Sequence, residues 1–243
     1  MKKTVNEAYT LQDHLSELRK RLINCVILFC LAFATAYAFS DFLISFLFEP
    51  VKQSLPQGST MVFTALTEGF MAHLKVAFWA AMVVTAPFAI YQLWQFLLPA
   101  LYEHEKRSLR RLILIGGGLF IFGAIFGYWV ILPVVLSLSL GYASTNLQAL
   151  PRLQNYLIFT LKSIFLFGII FEMPFVMAGA TRIGLVSRDY FKKHRKPAYI
   201  LLFLVAAVLV PSDIFSQLLI FIPFVAIYEV GAFLSSGFIN KKR

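Results

Sequence analysis

The sequence from Leu22 to Phe39 reads LINCVILFCLAFATAYAF, an apolar run without a charged residue. An α-helix rises about 1.5 Å per residue, and about 17–25 apolar residues cross a hydrocarbon core about 30 Å thick. The run therefore predicts a transmembrane helix. The composition of the whole chain agrees, because 59% of its 243 residues are hydrophobic and only 14% are charged, whereas soluble domains carry about 25% charged residues. A soluble enzyme is excluded.

Further apolar runs predict six membrane spans in all, within one membrane domain that covers residues 1–243. The spans are predicted at about 22–39, 70–98, 112–138, 156–180, 197–210 and 214–234, after an N-terminal amphipathic segment at 8–21. The fifth reaches only about 21 Å, and Pro211-Ser212-Asp213 predicts a tight turn before the sixth. We therefore expect an all-α integral membrane protein in which helices 5 and 6 are short and form a hairpin.

Positive charge is distributed unevenly among the segments that connect these spans. Most of the 22 lysines and arginines lie within residues 1–21, 99–111, 181–196 and 235–243. Short cytoplasmic loops carry an excess of Lys and Arg. We therefore expect a multi-pass protein of the cell (inner) membrane with both termini in the cytoplasm. Because topology accounts for the net charge of +10, nucleic acid is not an expected partner.

Motifs that carry enzyme chemistry are not found. The sequence has no G-x-x-x-x-G-K-[ST], H-E-x-x-H or G-x-S-x-G pattern, and its 4 histidines are far apart in the chain. Cys25 and Cys30 share one span on different helix faces, which does not suit a disulfide or a metal pair. We therefore predict a protein that is not an enzyme and that has no cofactor and no metal site.

Glu172 lies inside the predicted fourth span, where a charge costs about 2.5–3.5 kcal/mol or more. Its side chain should therefore face protein or water. Pro174 is expected to bend the helix and to widen a polar concavity, open toward the membrane, around the carboxyl. Two interpretations remain open: a functional polar site, or a protonated carboxyl that serves packing alone.

Glycines in the predicted third span indicate close helix packing. Gly116, Gly117 and Gly118 precede a Gly123-x-x-x-Gly127 pair, a spacing that lets a second helix approach closely. We expect these residues to serve packing rather than a binding site.

Carboxylates in the predicted cytoplasmic segments favour a cationic partner. Glu17 lies on the amphipathic segment, and Glu103 and Glu105 follow the second span. Simpler explanations exist, because Glu17 can pair with Arg21 at the i, i+4 spacing and the other two can be solvated charges.

Asp213 and Gln217 lie on one face at the start of the sixth helix. Asp213 is explained as a helix N-cap, but Gln217 is not. A glutamine within a membrane usually bonds to another helix, so this face is a candidate contact with a partner subunit.

Four residue runs occur in one order along the chain and carry a specific resemblance. They are SELRKR at 16–21, FLLPALYEHEKR at 96–107, FEMP at 171–174 and PSDIFSQ at 211–217. In combination they resemble the TatC family, the receptor subunit of the twin-arginine protein translocase. The resemblance spans nearly the whole chain.

This resemblance implies a concave, glove-like arrangement of the six helices. It also implies a receptor that binds the twin-arginine signal peptides of folded precursors and exports them by the proton-motive force. The expected partners are single-span subunits of the TatA and TatB type, with a homo-oligomer in a larger complex. The family pattern assigns Glu17, Glu105 and Phe96 to the signal-peptide patch, and we also expect Arg19 there. The family's buried glutamate matches Glu172, the intramembrane polar site. Its partner contact maps near Gln217, and we expect Asp213, on the same helix face, to belong to that contact.

Two other function classes fit the composition. A proton-coupled secondary transporter would use Glu172 as its titrating group, but such transporters often carry two structural repeats, and none is visible here. A purely structural membrane scaffold would leave Glu17 and Glu105 unexplained. Crosslinking to a twin-arginine signal peptide separates these classes.

Overall fold

The computed structural model describes residues 11–54, 67–97, 106–141, 152–182, 184–210 and 214–237. Within these ranges the chain forms nine α-helices and one π-helical turn, Gly127–Ile131, that joins α4 to α5. The helices are α1 (Leu11–Ala38), α2 (Ser40–Ser54), α3 (Glu68–Leu97), α4 (Lys106–Phe126), α5 (Leu132–Gly141), α6 (Leu153–Arg182), α7 (Tyr190–Lys193), α8 (Arg195–Leu209) and α9 (Ile214–Gly237).

Six helical stretches correspond to the predicted spans. Five are long and apolar enough to cross a bilayer: Leu15–Ala38, Glu68–Leu93, Gly116–Leu138, Leu153–Arg182 and Ile214–Gly237. The remaining one is α8, whose 15 residues reach about 22 Å at about 1.5 Å per residue. The all-α membrane fold with a short fifth helix is confirmed.

The sixth helix is longer than expected. α9 has 24 residues and continues past Leu234 to Gly237. Polar residues do not end it there, because Ser235 is fully buried and its hydroxyl donates to the Ala232 carbonyl at 2.9 Å. Only the fifth helix of the hairpin is therefore short.

α6 lies at the centre of the bundle, between α4 on one side and α9 on the other. Glycines allow the first of these contacts. A methyl group on Gly123 would lie 2.5 Å from the Phe167 carbonyl oxygen, and one on Gly127 would lie 3.1 Å from the Phe167 side chain. The close packing predicted from the glycine spacing is confirmed. The Phe167 ring also packs on Phe224 of α9, with their ring centroids 4.9 Å apart.

α2 packs across the ends of the third and fourth spans. Pro50 has no N–H group to bond the carbonyl four residues earlier, that of Phe46. The Tyr128 hydroxyl donates to this carbonyl at 2.9 Å, and the Tyr156 hydroxyl donates to the neighbouring Leu47 carbonyl at 2.6 Å. Two tyrosines thus fix α2 through its backbone.

α1 is the least enclosed of the spans. It packs chiefly against α3, with the rings of Phe29 and Phe78 in edge contact at 5.6 Å. Ile23, Ile27 and Leu31 of α1 are exposed, as expected for side chains that face lipid. The amphipathic segment from Leu11 and the first span form one continuous helix.

Candidate functional site

An arginine network joins α1 to α3 at the predicted cytoplasmic end of both helices. The Arg21 Nε group donates to Glu17 Oε1 at 3.1 Å, and Nη2 donates to the same oxygen. Nη1 donates to Gln92 Oε1 at 3.0 Å and to Gln95 Oε1 at 2.7 Å. Nη2 also donates to the Gln95 backbone carbonyl at 3.3 Å. The pairing of Glu17 with Arg21 that the i, i+4 spacing suggested is therefore present.

The network is largely withdrawn from solvent. Only 16% of the Arg21 side chain and 27% of the Glu17 side chain are exposed. Water screens such a pair less than it screens a pair on an open surface, so the charged hydrogen bonds keep more of their strength.

A groove of about 350 Å³ lies beside the network, between α1 and α3. Arg21 and Gln92 contribute its polar part. The rest of the lining is apolar and comes from Leu18, Leu22, Cys25, Ala89, Ile90, Leu93 and Phe96. The groove therefore places a guanidinium-binding carboxylate next to a surface that suits apolar side chains.

The structure brings together part of the predicted signal-peptide patch. Phe96 lines the groove, and Glu17 is bound to Arg21, which also lines it. Arg19, on the same turn of α1, is exposed. Glu105 and Glu103 lie outside the described residues.

Glu172 is enclosed between α6 and α4 and is only 4% exposed. A methyl group on Gly116 would lie 3.3 Å from its Oε2 atom. The backbone N–H of Phe120 is close enough to interact with the carboxyl, but within the described residues neither oxygen has a hydrogen-bond partner of normal geometry. The expectation of an open polar concavity around Glu172 is wrong. Because Gly116 has no side chain, α4 approaches α6 closely and covers the carboxyl.

A second cavity, of about 390 Å³, opens between α2, α3, α4 and α6. Its lining is apolar and aromatic and includes Pro87, Phe120, Tyr128 and Trp129. Phe120 contributes to this cavity and Glu172 does not. A proton pathway through Glu172, as a secondary transporter would need, is therefore not supported by either cavity.

Gln217 lies within the α8–α9 hairpin and is 7% exposed. Its Nε2 group donates to the Phe203 carbonyl of α8 at 3.2 Å. The glutamine thus bonds to another helix, as expected in a membrane, but that helix belongs to the same chain. Asp213 lies outside the described residues. Ile214, Leu218 and Ile222 remain exposed beside Gln217 on α9.

The same hairpin is fixed at its other end by Glu229. Its carboxylate accepts from Arg195 Nη2 at 2.6 Å and from the Tyr199 hydroxyl at 2.5 Å. Tyr228 next to it donates to the Phe191 carbonyl at 2.8 Å. Glu229 therefore stabilises the hairpin.

Two residues of the arginine network, Gln92 and Gln95, are missing from the sequence-based site. Both are amides near one end of an otherwise apolar span, three residues apart and so on one helix face. Their position at the same predicted membrane surface as Arg21 was a usable signal, but it did not show which side of α3 would contact α1.

The sequence matches the family model described as Sec-independent protein translocase protein (TatC) over residues 13–223. The chain is 35% identical over 230 residues to such a protein from Desulforapulum autotrophicum, which covers 95% of this chain and 85% of the relative. It is 33% identical over 240 residues to the TatC protein of Escherichia coli K12, which covers 99% of this chain and 93% of the relative.

The fold is also similar to solved structures. A crystal structure of the twin-arginine translocase receptor TatC superposes with a TM-score of 0.84 at 33% identity, covering 91% of this chain and 97% of the other. A second, in the detergent DDM, gives the same TM-score at 34% identity. Since the family match, the length covered and the fold all agree, this chain belongs to the TatC family, the membrane-embedded receptor component of the Sec-independent, twin-arginine protein translocase.

Proposed function

We propose that this protein binds the twin-arginine signal peptides of folded precursors at the groove between α1 and α3. Acting with single-span partner subunits, it then exports the precursors, driven by the proton-motive force. The observation that carries the proposal is the pairing of a partly buried carboxylate, Glu17, with an apolar groove at one end of the same two helices. Membership of the TatC family supports the receptor role.

The chemistry of the groove suits an arginine-containing peptide that continues into an apolar segment. A guanidinium group binds a carboxylate through two parallel hydrogen bonds, a geometry that an ammonium group does not reproduce. Glu17 supplies one such carboxylate, and Glu105 supplies a second in the proposal. Leu18, Leu93 and Phe96 line the groove and would contact the apolar part of the peptide.

Partner subunits of the TatA and TatB type are proposed to dock on α9 beside Gln217. Ile214, Leu218 and Ile222 form an exposed apolar strip there, which suits the apolar face of a single-span helix. Gln217 itself bonds to Phe203 within the chain, so in this proposal the apolar strip makes the contact and Gln217 fixes the shape of the hairpin.

Site-specific photocrosslinking tests the signal-peptide site. A benzoylphenylalanine placed at Leu93, in the groove, is expected to crosslink to a peptide that carries the Arg-Arg motif and much less to its Lys-Lys version. The matched control is Ile222, which is exposed on α9 and should give no crosslink dependent on the motif. Equal crosslinking at the two positions would contradict the proposal.

The proposed topology has the α1–α3 groove and both termini in the cytoplasm, because Lys and Arg concentrate in those segments. In a variant without Cys25 and Cys30, a cysteine at the exposed Ser45 of α2 is expected to react with a membrane-impermeant maleimide from outside. A cysteine at Ser187, exposed between α6 and α7, should react only after the inside is made accessible. The reverse pattern would invert the topology.

Glu172 is proposed to act through hydrogen bonding inside the helix bundle, because its buried oxygens lack a donor of normal geometry among the described residues. Glu172→Gln keeps hydrogen bonding and size, so we expect a milder loss of export than for Glu172→Ala. Glu172→Met keeps size alone and should resemble alanine. Export of a folded reporter, normalised to the amount of protein in the membrane, measures all three. Equal defects in all three would show that hydrogen bonding is not what Glu172 supplies.

A further inference from the structure

Arg21 is saturated with hydrogen bonds. A guanidinium group carries five N–H donors. In this structure Nε and Nη2 donate to the Glu17 carboxylate. Nη1 donates to the side-chain oxygens of Gln92 and Gln95, and Nη2 also donates to the Gln95 backbone carbonyl. Side chains from α1 and α3 therefore form a site that matches one whole guanidinium group.

The charges around this site oppose the entry of a second guanidinium. Arg21 already neutralises the Glu17 carboxylate, and Arg19 and Lys20 on the same turn add positive charge. An arriving arginine would meet a neutral ion pair surrounded by like charges, which gives little attraction. Binding to the Glu17 oxygen that Arg21 holds, Oε1, therefore requires that Arg21 leave it.

We propose that Glu17, Gln92 and Gln95 form a guanidinium-binding site that Arg21 occupies in the absence of ligand, and that an arginine of the signal peptide enters by replacing Arg21. This inference rests on the proposed function and adds two acceptors and an internal competitor to it. The incoming group inherits the same hydrogen bonds that Arg21 gives up, so the exchange leaves no buried acceptor without a donor. Arg21 has a long side chain that can extend to the nearby aqueous surface.

The exchange also accounts for discrimination against lysine. An ammonium group has three donors at one point, whereas the acceptors here are spread around a planar group. A lysine that displaced Arg21 would leave amide or carbonyl oxygens unpaired. Lys-Lys peptides should therefore fail to displace Arg21, and Arg-Arg peptides should succeed.

The test measures the affinity of Arg-Arg and Lys-Lys peptides for the full-length protein in nanodiscs. Arg21→Lys keeps the charge and weakens the internal competitor, and Arg21→Met removes it. Because the incoming arginine no longer competes with Arg21 for Glu17, both variants should bind the Arg-Arg peptide about two- to fivefold more tightly than the unmodified protein. Adding Gln95→Met to Arg21→Met should reverse the gain, since the incoming arginine then lacks an acceptor.

Unchanged or weaker binding of the Arg-Arg peptide in folded Arg21→Lys protein would overturn the exchange, because Arg21 would then position Glu17 rather than compete for it. Thermal unfolding of each variant checks that the protein is folded. The Arg21 Nε–H resonance of isotope-labelled, otherwise unmodified protein, identified by its loss in Arg21→Lys, gives an independent measurement. Addition of the Arg-Arg peptide should increase its solvent exchange, and unchanged exchange in the peptide-bound state would also overturn the proposal.

Failure of the proposed function gives a different result from failure of the exchange. If unmodified protein does not prefer Arg-Arg over Lys-Lys peptides, the signal-peptide site itself is wrong. If it shows the preference while the Arg21 variants bind no more tightly, the site stands and only the exchange is lost.

Discussion

Protein in which Glu17 and Glu105 are both replaced by alanine is expected to lose its preference for Arg-Arg over Lys-Lys signal peptides while still inserting into the membrane. Each charged hydrogen bond contributes about 1.5–3 kcal/mol when partly desolvated. Loss of one carboxylate should therefore weaken binding of the Arg-Arg peptide by about tenfold or more. Loss of both carboxylates removes the planar acceptors that bind a guanidinium group more strongly than an ammonium group.

Dissociation constants for the two peptides, measured on the single variants and the double variant in nanodiscs, check this expectation. Glu49→Ala is the matched control, because Glu49 is an exposed glutamate whose only ion pair within the described residues is with Lys52, and it lies on the predicted external side. It should leave both affinities unchanged. An undiminished Arg-Arg preference in the double variant would refute the assignment of both carboxylates.

Gly123→Ala is expected to destabilise the bundle by about 1–3 kcal/mol, the usual cost of overpacking a tight contact. The added methyl group would lie 2.5 Å from the Phe167 carbonyl oxygen and 2.7 Å from the Phe171 side chain. The first of these atoms is backbone and cannot rotate away, so α4 and α6 must separate. The clash also exceeds the gain of about 1 kcal/mol that alanine brings to a helix over glycine.

The matched control is Gly118→Ala on the same helix, where a methyl group would meet no atom within 4 Å. This variant should be as stable as the unmodified protein or slightly more stable. The fraction of protein that remains monodisperse in detergent after heating ranks the three proteins. If Gly123→Ala matched Gly118→Ala in this assay, the close α4–α6 contact would be wrong.

Features that depend on one helix were predictable from the sequence. The apolar run at 22–39, the short fifth helix and the Gly123-x-x-x-Gly127 spacing each follow from the period or length of a single segment. The Glu17–Arg21 pair belongs to the same class, because both residues lie on one turn of α1. The π-helical turn at Gly127–Ile131 is an exception, since no residue pattern in the third span indicated it.

Features that depend on how helices face each other were not predictable. Gln217 was expected to contact a partner, but its orientation toward Phe203 follows from the packing of α8 on α9. Glu172 was expected to lie in an open space, and the depth at which α4 covers it depends on the rotation of both helices. Gln92 and Gln95 became part of the site only because α1 packs on their side of α3.

The contact between the Tyr128 hydroxyl and the backbone of α2 couples the substitutions that are tolerated at positions 50 and 128. Pro50 leaves the Phe46 carbonyl without a donor from its own helix, and the Tyr128 hydroxyl supplies one. If Pro50 is retained, Tyr128→Phe would leave the Phe46 carbonyl without a hydrogen-bond donor. If Pro50 is replaced by alanine, the backbone N–H at position 50 can bond this carbonyl, and the Tyr128 hydroxyl is no longer needed. The two substitutions are therefore epistatic, and an evolving lineage would pass through the double change at less cost than through phenylalanine at 128 alone.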